Sequence, residues 1–232
     1  MAGTALVSGA GKGIGRAIAQ SLAAQGYNLF LLGRDGEALA AVATACAEHS
    51  VQAHFLAGDL CEAGHIATAL AAAEEKLGAI DVLVNNAGAA ARGAVQGADL
   101  AAWRQVLDLN LWAVIALTRG VLPAMIARRQ GAIINISSIS GRHSAGGDAI
   151  YAASKHALNG FTASLFEDVR EFGIKVSCIM PGFVDTALTA GMQRRHERMI
   201  GAEDIAACVD FVLAASARCC PTEIVIRPQL AP

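Results

Sequence analysis

The sequence predicts an α/β protein with a doubly wound sheet in a single domain. Three observations carry this. Short strand-like runs alternate with longer alanine- and leucine-rich stretches about six times along the chain. Several of the short runs are apolar almost throughout, as parallel strands covered on both faces require. The chain has 232 residues, 54% hydrophobic and 16% charged, which is enough to bury one large core. The domain takes in residues 1–232, with no linker, charge block or low-complexity tail.

The strands are expected at residues 4–8 (TALVS), 28–32 (NLFLL), 51–57 (VQAHFLA), 81–85 (DVLVN), 131–137 (GAIINIS), 175–180 (KVSCIM) and 223–227 (EIVIR). The helices are expected near residues 14–25, 36–48, 62–76, 99–128, 150–172 and 202–215, where alanine and leucine dominate. Strand, helix, strand in repetition is the pattern of a doubly wound sheet.

Composition excludes several classes of function. Net charge is -2, from 18 basic and 20 acidic residues, so neither nucleic acid nor an anionic membrane is an expected partner. The longest apolar runs are interrupted by Arg119, Pro123 and Arg128 or by glycines. None is expected to reach the roughly 18–20 residues of a membrane span. The N-terminus enters a strand at once, with no positive region ahead of an apolar one, so the expected location is the cytoplasm. Six cysteines (Cys46, Cys61, Cys178, Cys208, Cys219, Cys220) lack CxxC spacing. They are expected as reduced thiols in apolar packing, with no metal site.

The segment SGAGKGIG, residues 8–15, follows the first strand and opens the first helix. A helix N-terminus offers free N–H groups and partial positive charge to a pyrophosphate. Glycine lets the backbone turn tightly beside it. The spacing is Gly9-x-x-x-Gly13-x-Gly15, with Lys12 and Ile14 between, and not GxGxxG. At the end of the second strand stands LLGRDG. An acid there would bind the ribose hydroxyls of NAD, and a nearby arginine would take the 2′-phosphate of NADP. Position 33 is glycine, Arg34 follows, and Lys12 is a second cation, so NADP(H) is favoured over NAD(H). Asp35 remains as a displaced ribose binder. Asp59 and Leu60 end the third strand. There Asp59 either accepts a hydrogen bond from the adenine amino group or caps the next helix.

Further motifs come in order: NNAG at 85–88 closes the fourth strand, NISS at 135–138 closes the fifth, YAASK at 151–155 follows, and PGFVDT at 181–186 comes after the sixth. Together with SGAGKGIG, in this order and over nearly the whole chain, the set resembles the classical short-chain dehydrogenases/reductases. The GxxGxxG spacing and extra length of the extended members are missing, which disfavours sugar-nucleotide epimerase chemistry. The resemblance implies a Rossmann fold with a seven-stranded parallel sheet flanked by three helices on each side. It also implies a catalytic group of Ser138, Tyr151, Lys155 and Asn110. Ser138 stands thirteen residues before Tyr151. Asn110 lies in the long 99–128 helix and is either a water-positioning residue of that group or a buried asparagine making a local backbone bond. The resemblance further places Asn86, Ala87 and Gly88 along the nicotinamide ribose. Pro181, Gly182 and Val184 fall around the nicotinamide, with Thr186 at its carboxamide. Two departures stand out: Ser8 where the family usually has threonine, and a C-terminus, TEIVIRPQLAP, without the family's glycine-rich end.

The chemistry implied is hydride transfer between nicotinamide and a carbonyl or secondary alcohol. Tyrosine, with a reference pKa near 10, donates a proton well but is a weak base at neutral pH. Lys155, one turn away on the same face, is expected to favour the phenolate and to bind the nicotinamide ribose. Ser138 is expected to hold the substrate oxygen. Substrate choice falls to the loops at residues 89–93, 140–147 and 183–199, with Arg92, Arg142 and His143 as polar handles and a cationic run at 192–199. The leading reading is an NADP-dependent carbonyl reductase, with 3-oxoacyl thioester reduction as its commonest family form. The alternatives are an NAD-dependent alcohol dehydrogenase and a non-catalytic dinucleotide sensor or scaffold. A homodimer or homotetramer is expected through the helices near 99–128 and 150–172.

Overall fold

A computed structural model describes residues 3–191 and 195–232. Seven strands form one all-parallel sheet: β1 (Gly3–Ser8), β2 (Tyr27–Gly33), β3 (Ala53–Ala57), β4 (Val82–Asn85), β5 (Gly131–Ile136), β6 (Ile174–Pro181) and β7 (Glu223–Ile226). Their order is β3-β2-β1-β4-β5-β6-β7. The chain winds outward from β1 to one edge, returns to β4 beside β1, and winds to the other. The winding direction switches between β1 and β4, and in doubly wound sheets ligands bind at the carboxyl ends of the strands at such a switch point.

Alternation along the strands sorts the core into two layers. Ala5, Val7, Leu29, Leu31, Val82, Val84 and Ile134 face α1 (Gly13–Ala24), α2 (Gly36–Ala47) and α7 (Ala202–Ala214). Leu6, Phe30, Leu32, Leu83 and Ile133 face α3 (His65–Leu77), α5 (Ala113–Arg128) and α6 (Ala149–Val169). With the short α4 (Leu100–Leu107) leading into α5, each face carries three crossover connections, as the seven-stranded doubly wound fold requires.

Element boundaries depart from the sequence reading where a local group intervenes. β3 begins at Ala53 and not at Val51, because the Asn28 side chain accepts the Gln52 N–H at 2.9 Å. α3 begins at His65 and not near residue 62, because Gly64 is left-handed at φ 83. The 99–128 helix is not continuous. A π turn, Asp108–Trp112, separates α4 from α5, and Asn110 sits at its centre. An inserted π residue re-aims side chains and is common at functional sites. The same stretch corrects the expectation about apolar runs: Leu100–Arg128 is long and apolar enough to cross a membrane by length and composition. Its inner face packs on the sheet instead, through Val114, Leu117, Val121 and Met125. All six cysteines are free, but apolar packing holds only in part: Cys46 and Cys178 are buried, whereas Cys61 and Cys219 are exposed.

One polar network crosses the otherwise apolar second layer. Asn85 and Asn135 are register partners on β4 and β5. Asn85 Nδ2 donates to Asn135 Oδ1 at 2.9 Å, and Asn135 Nδ2 donates to Thr162 Oγ1 on α6 at 2.9 Å. The network fixes the height of α6 over β5, and α6 carries Tyr151 and Lys155. Asn135→Ala removes two buried bonds and is expected to lower the unfolding free energy by about 2–4 kcal/mol in urea titration. A loss below about 0.5 kcal/mol would contradict this account of the layer.

Candidate active site

All the motifs converge on the carboxyl edge of the sheet. The β1–α1 turn is held by contacts that leave no room for side chains. A Cβ on Gly15 would lie 2.2 Å from the Gly9 carbonyl oxygen, and one on Gly9 would lie 2.9 Å from Asn86 Nδ2. Gly9 is also left-handed, at φ 66. The Ala10 N–H donates to the Leu32 carbonyl at 3.0 Å, which sets the turn beside the end of β2. Lys12 is the exposed N-cap of α1, and Gly13 faces the Thr186 methyl.

Ser8, the departure from the family threonine, uses its hydroxyl fully. Its Oγ accepts the Asn86 and Ala87 N–H groups at 3.0 and 3.1 Å and donates to the Val84 carbonyl at 3.4 Å. Asn86 Nδ2 returns bonds to the Ser8 and Gly9 carbonyls at 3.0 and 3.1 Å. The phosphate-type turn and the NNAG loop are therefore one rigid unit.

At the β2 end, Arg34 is exposed and close enough to Cys61 to oppose the upward push that burial gives the Cys61 thiol. That proximity brings Arg34 toward the β3 end, where Asp59 and Cys61 stand. The Asp35 carboxylate caps α2, its Oδ1 accepting the Ala38 N–H at 3.0 Å. Asp59 does not cap α3; it accepts the Cys61 N–H at 2.9 Å in a local turn. Leu60 points into the second core layer, leaving only its backbone to face a ligand. Ile14, Ala87 and Val184 likewise have side chains packed against core.

α6 brings the reactive pair together. Lys155 is 4% exposed, and its Nζ donates to the Ile136 carbonyl at the end of β5, 2.9 Å away. The same Nζ lies 5.8 Å from the centroid of the half-buried Tyr151 ring. Burial lowers the Lys155 pKa to about 8, and the Cys178 thiol nearby acts against that shift. An amine with a depressed pKa costs stability while charged; the cost is relieved as pH rises from about 8 toward the ordinary lysine value. Tyr151 differs from the sequence expectation. Burial pushes its phenol above 10, the Ser138 hydrogen bond pulls it back, Asp148 raises it and Arg92 lowers it. Taking both groups out of water disfavours both charged forms, and this outweighs the depression expected from Lys155.

Asn110 is fully buried, and its carboxamide is engaged by protein. Oδ1 accepts the Ala89 N–H at 2.8 Å; Nδ2 donates to the Ala89 carbonyl at 2.8 Å and to Ser154 Oγ at 3.0 Å. Its backbone partner is thus remote and not local, and the residue clamps the NNAG loop onto α6. Ser154, inside YAASK, completes the clamp by donating to the Tyr151 carbonyl at 2.7 Å. Ser154 lies between Tyr151 and Lys155 in the sequence, and only its contact with Asn110 marks it as part of the site. A Cβ on Gly88 would crowd Asn110 Oδ1 at 3.3 Å and touch Lys155 Nζ at 3.8 Å, so glycine there keeps the loop close to both side chains without strain.

After β6, the Gly182 N–H donates to the Ile226 carbonyl at 2.7 Å, and the loop is tied by the buried Thr189. Its hydroxyl donates to the Val184 carbonyl at 2.6 Å and accepts the Thr186 N–H at 3.2 Å. Thr189 was not singled out from sequence. Of the polar handles, Arg92 pairs with Asp148 at 3.4 Å and Arg142 pairs with Glu223, so neither is free of protein partners. In the cationic run, His196 pairs with Asp185 at 2.8 Å; residues 192–194 lie outside the described residues.

The sequence model of the short chain dehydrogenase family matches residues 3–197. The chain belongs to that family. It is 33% identical over 227 residues to an uncharacterized oxidoreductase of Staphylococcus saprophyticus, covering 97% of this chain and 96% of that one. Among solved structures it resembles a metagenomic short-chain oxidoreductase in complex with NADP, at a TM-score of 0.87 and 34% identity, covering 99% and 98% of the two chains. It also resembles a variant of actinorhodin polyketide ketoreductase with NADPH, at a TM-score of 0.90 and 30% identity, covering 97% and 95%. Family and fold together define an oxidoreductase of the short-chain type.

Proposed function

We propose that the protein is an NADP(H)-dependent oxidoreductase that interconverts a carbonyl and a secondary alcohol. The observation that carries this reading is a buried lysine amine 5.8 Å from the centre of the Tyr151 ring, with Ser138 near enough to lower the phenol pKa. The glycine cradle fits a dinucleotide: Gly9 and Gly15 admit no side chain, and the α1 N-terminus opens beside them. When bound, NADPH supplies the hydride. Gly9, Lys12, Gly13, Ile14 and Gly15 would hold its phosphates, Arg34 the 2′-phosphate, and Asp59 and Leu60 the adenine. Asn86, Ala87, Gly88, Tyr151 and Lys155 would line the nicotinamide ribose, with Pro181, Gly182, Val184 and Thr186 around the ring.

In the reductive direction Ser138 holds the substrate oxygen. The Tyr151 hydroxyl gives its proton to that oxygen as hydride reaches the carbonyl carbon, so the products are the alcohol and a tyrosinate. Lys155 stabilises the tyrosinate charge, which solvent then neutralises by returning a proton. The raised phenol pKa suits a proton donor at neutral pH. Asn110 orders the loop that carries Gly88 rather than touching the reacting atoms.

Two features support NADP(H). Asp35 is committed to the α2 cap, and Arg34 and Lys12 flank the β2 end as cations. Two of the similar structures hold NADP or NADPH. The polyketide ketoreductase among them supports a 3-oxoacyl-type substrate for this chain. Six free thiols fit a reducing compartment such as the cytoplasm. The groove between α5 and α6, lined by Ile115, Leu122 and Phe161, is the surface through which a homodimer or homotetramer would form.

Tyr151→Phe is expected to cut NADPH oxidation with an activated ketone by at least about 100-fold while leaving NADPH binding within about twofold. Retained turnover would refute the mechanism. If the wild-type protein binds NADPH and turns over no carbonyl in a substrate panel, the sensor reading replaces this one. Arg34→Ala is expected to raise the NADPH Michaelis constant about tenfold and leave that for NADH unchanged. Equal effects on both would refute the cofactor assignment.

A further inference from the structure

Asn159 stands on α6 one turn beyond Lys155, outside every motif above. Its Oδ1 accepts hydrogen bonds from Ser137 Oγ at 2.6 Å and Cys178 Sγ at 3.2 Å. Its Nδ2 donates to the Gly141 carbonyl at 3.0 Å and contacts Met180 Sδ at 3.4 Å. One carboxamide therefore ties α6 to the end of β5, to the short turn Ile139–Gly141 and to β6.

That turn is capped by Ser138, whose Oγ accepts the Ser140 N–H at 3.1 Å. Ser138 lies between two of the groups that Asn159 holds, Ser137 just before it and Gly141 three residues after it. The turn is also pressed hard on α6: a Cβ on Gly141 would lie 2.5 Å from Asn159 Nδ2 and 2.8 Å from the Lys155 carbonyl oxygen. Ser138 influences the Tyr151 phenol from this segment, so its reach to α6 depends on how the 137–141 segment is seated there. No other side chain among the described residues is recorded bonding both Ser137 and Gly141.

We propose that Asn159 is a positioning residue for the reaction, clamping the 137–141 segment onto α6 and so holding Ser138 toward Tyr151. It acts through Ser138 and touches neither substrate nor cofactor. The proposal rests on the Ser138–Tyr151 reading of the site, and the test separates the two.

The chain has two tyrosines, so Tyr27→Phe leaves Tyr151 as the one phenol that titrates. In that background, alkaline titration of tyrosinate absorbance reads Tyr151 directly and needs no substrate. Because the Ser138 hydrogen bond favours the phenolate, Ser138→Ala should raise the midpoint. Asn159→Ala should raise it in the same direction by at least half as much, and the double variant should go no further than Ser138→Ala alone. An Asn159→Ala midpoint equal to the parent, or additive shifts in the double variant, would overturn the proposal; a merely structural tie would lower the melting temperature without moving the midpoint. No shift in Ser138→Ala would sink the parent reading, and this inference with it. Should Asn159→Ala fail to fold, Ser137→Ala removes one of its bonds without opening a large cavity and should give a smaller upward shift; none would overturn the proposal.

Discussion

The bond from Lys155 Nζ to the Ile136 carbonyl is the contact on which the site depends. It joins the second turn of α6 to the last residue of β5, immediately before the segment that carries Ser138. A buried ammonium without such a partner would be costly, and one this close to a carbonyl is fixed in direction. Tyr151 is then one turn away on the same helix and must face the same crevice. The carbonyl is available because Ile136 ends its strand there.

The other contacts keep this pair at the edge of a two-layered core. Parallel strands with alternating side chains bury both faces of the sheet, so reactive groups can gather only where strands end. The buried Asn85–Asn135–Thr162 chain sets the seating of α6 on β5. Asn110 and Ser154 bind the NNAG loop to that helix, and Ser8 binds the same loop to the glycine turn. A dinucleotide-sized cradle and a proton-transfer pair are thereby parts of one hydrogen-bonded framework, not neighbouring features.

The architecture was legible because strand runs and helical runs differ in period and length, and every strand and helix expected from sequence is present. Ser138, Tyr151 and Lys155 were legible because their spacing holds within one strand end and one helix. What was illegible depends on contacts between remote segments. The π turn at Asp108–Trp112 has no compositional marker and interrupts a stretch that reads as one helix. The cap that Asp35 makes on the Ala38 N–H depends on the local turn and has no marker in the sequence. Asn159 and Thr189 look like ordinary polar residues in the chain, and their partners lie on other elements. The direction of the Tyr151 shift is not legible in the sequence, which shows the neighbouring charge but not the burial that opposes it.

The central claim is that burial makes Lys155 a weakly basic amine held against β5 beside a proton-donating tyrosine. Side-chain nitrogen NMR of lysine-labelled protein, with Lys155→Met to assign the resonance, titrates that amine directly. The account predicts a midpoint of about 8 in the unliganded protein. A midpoint near the ordinary lysine value of about 10.4 would place the amine in water and contradict it.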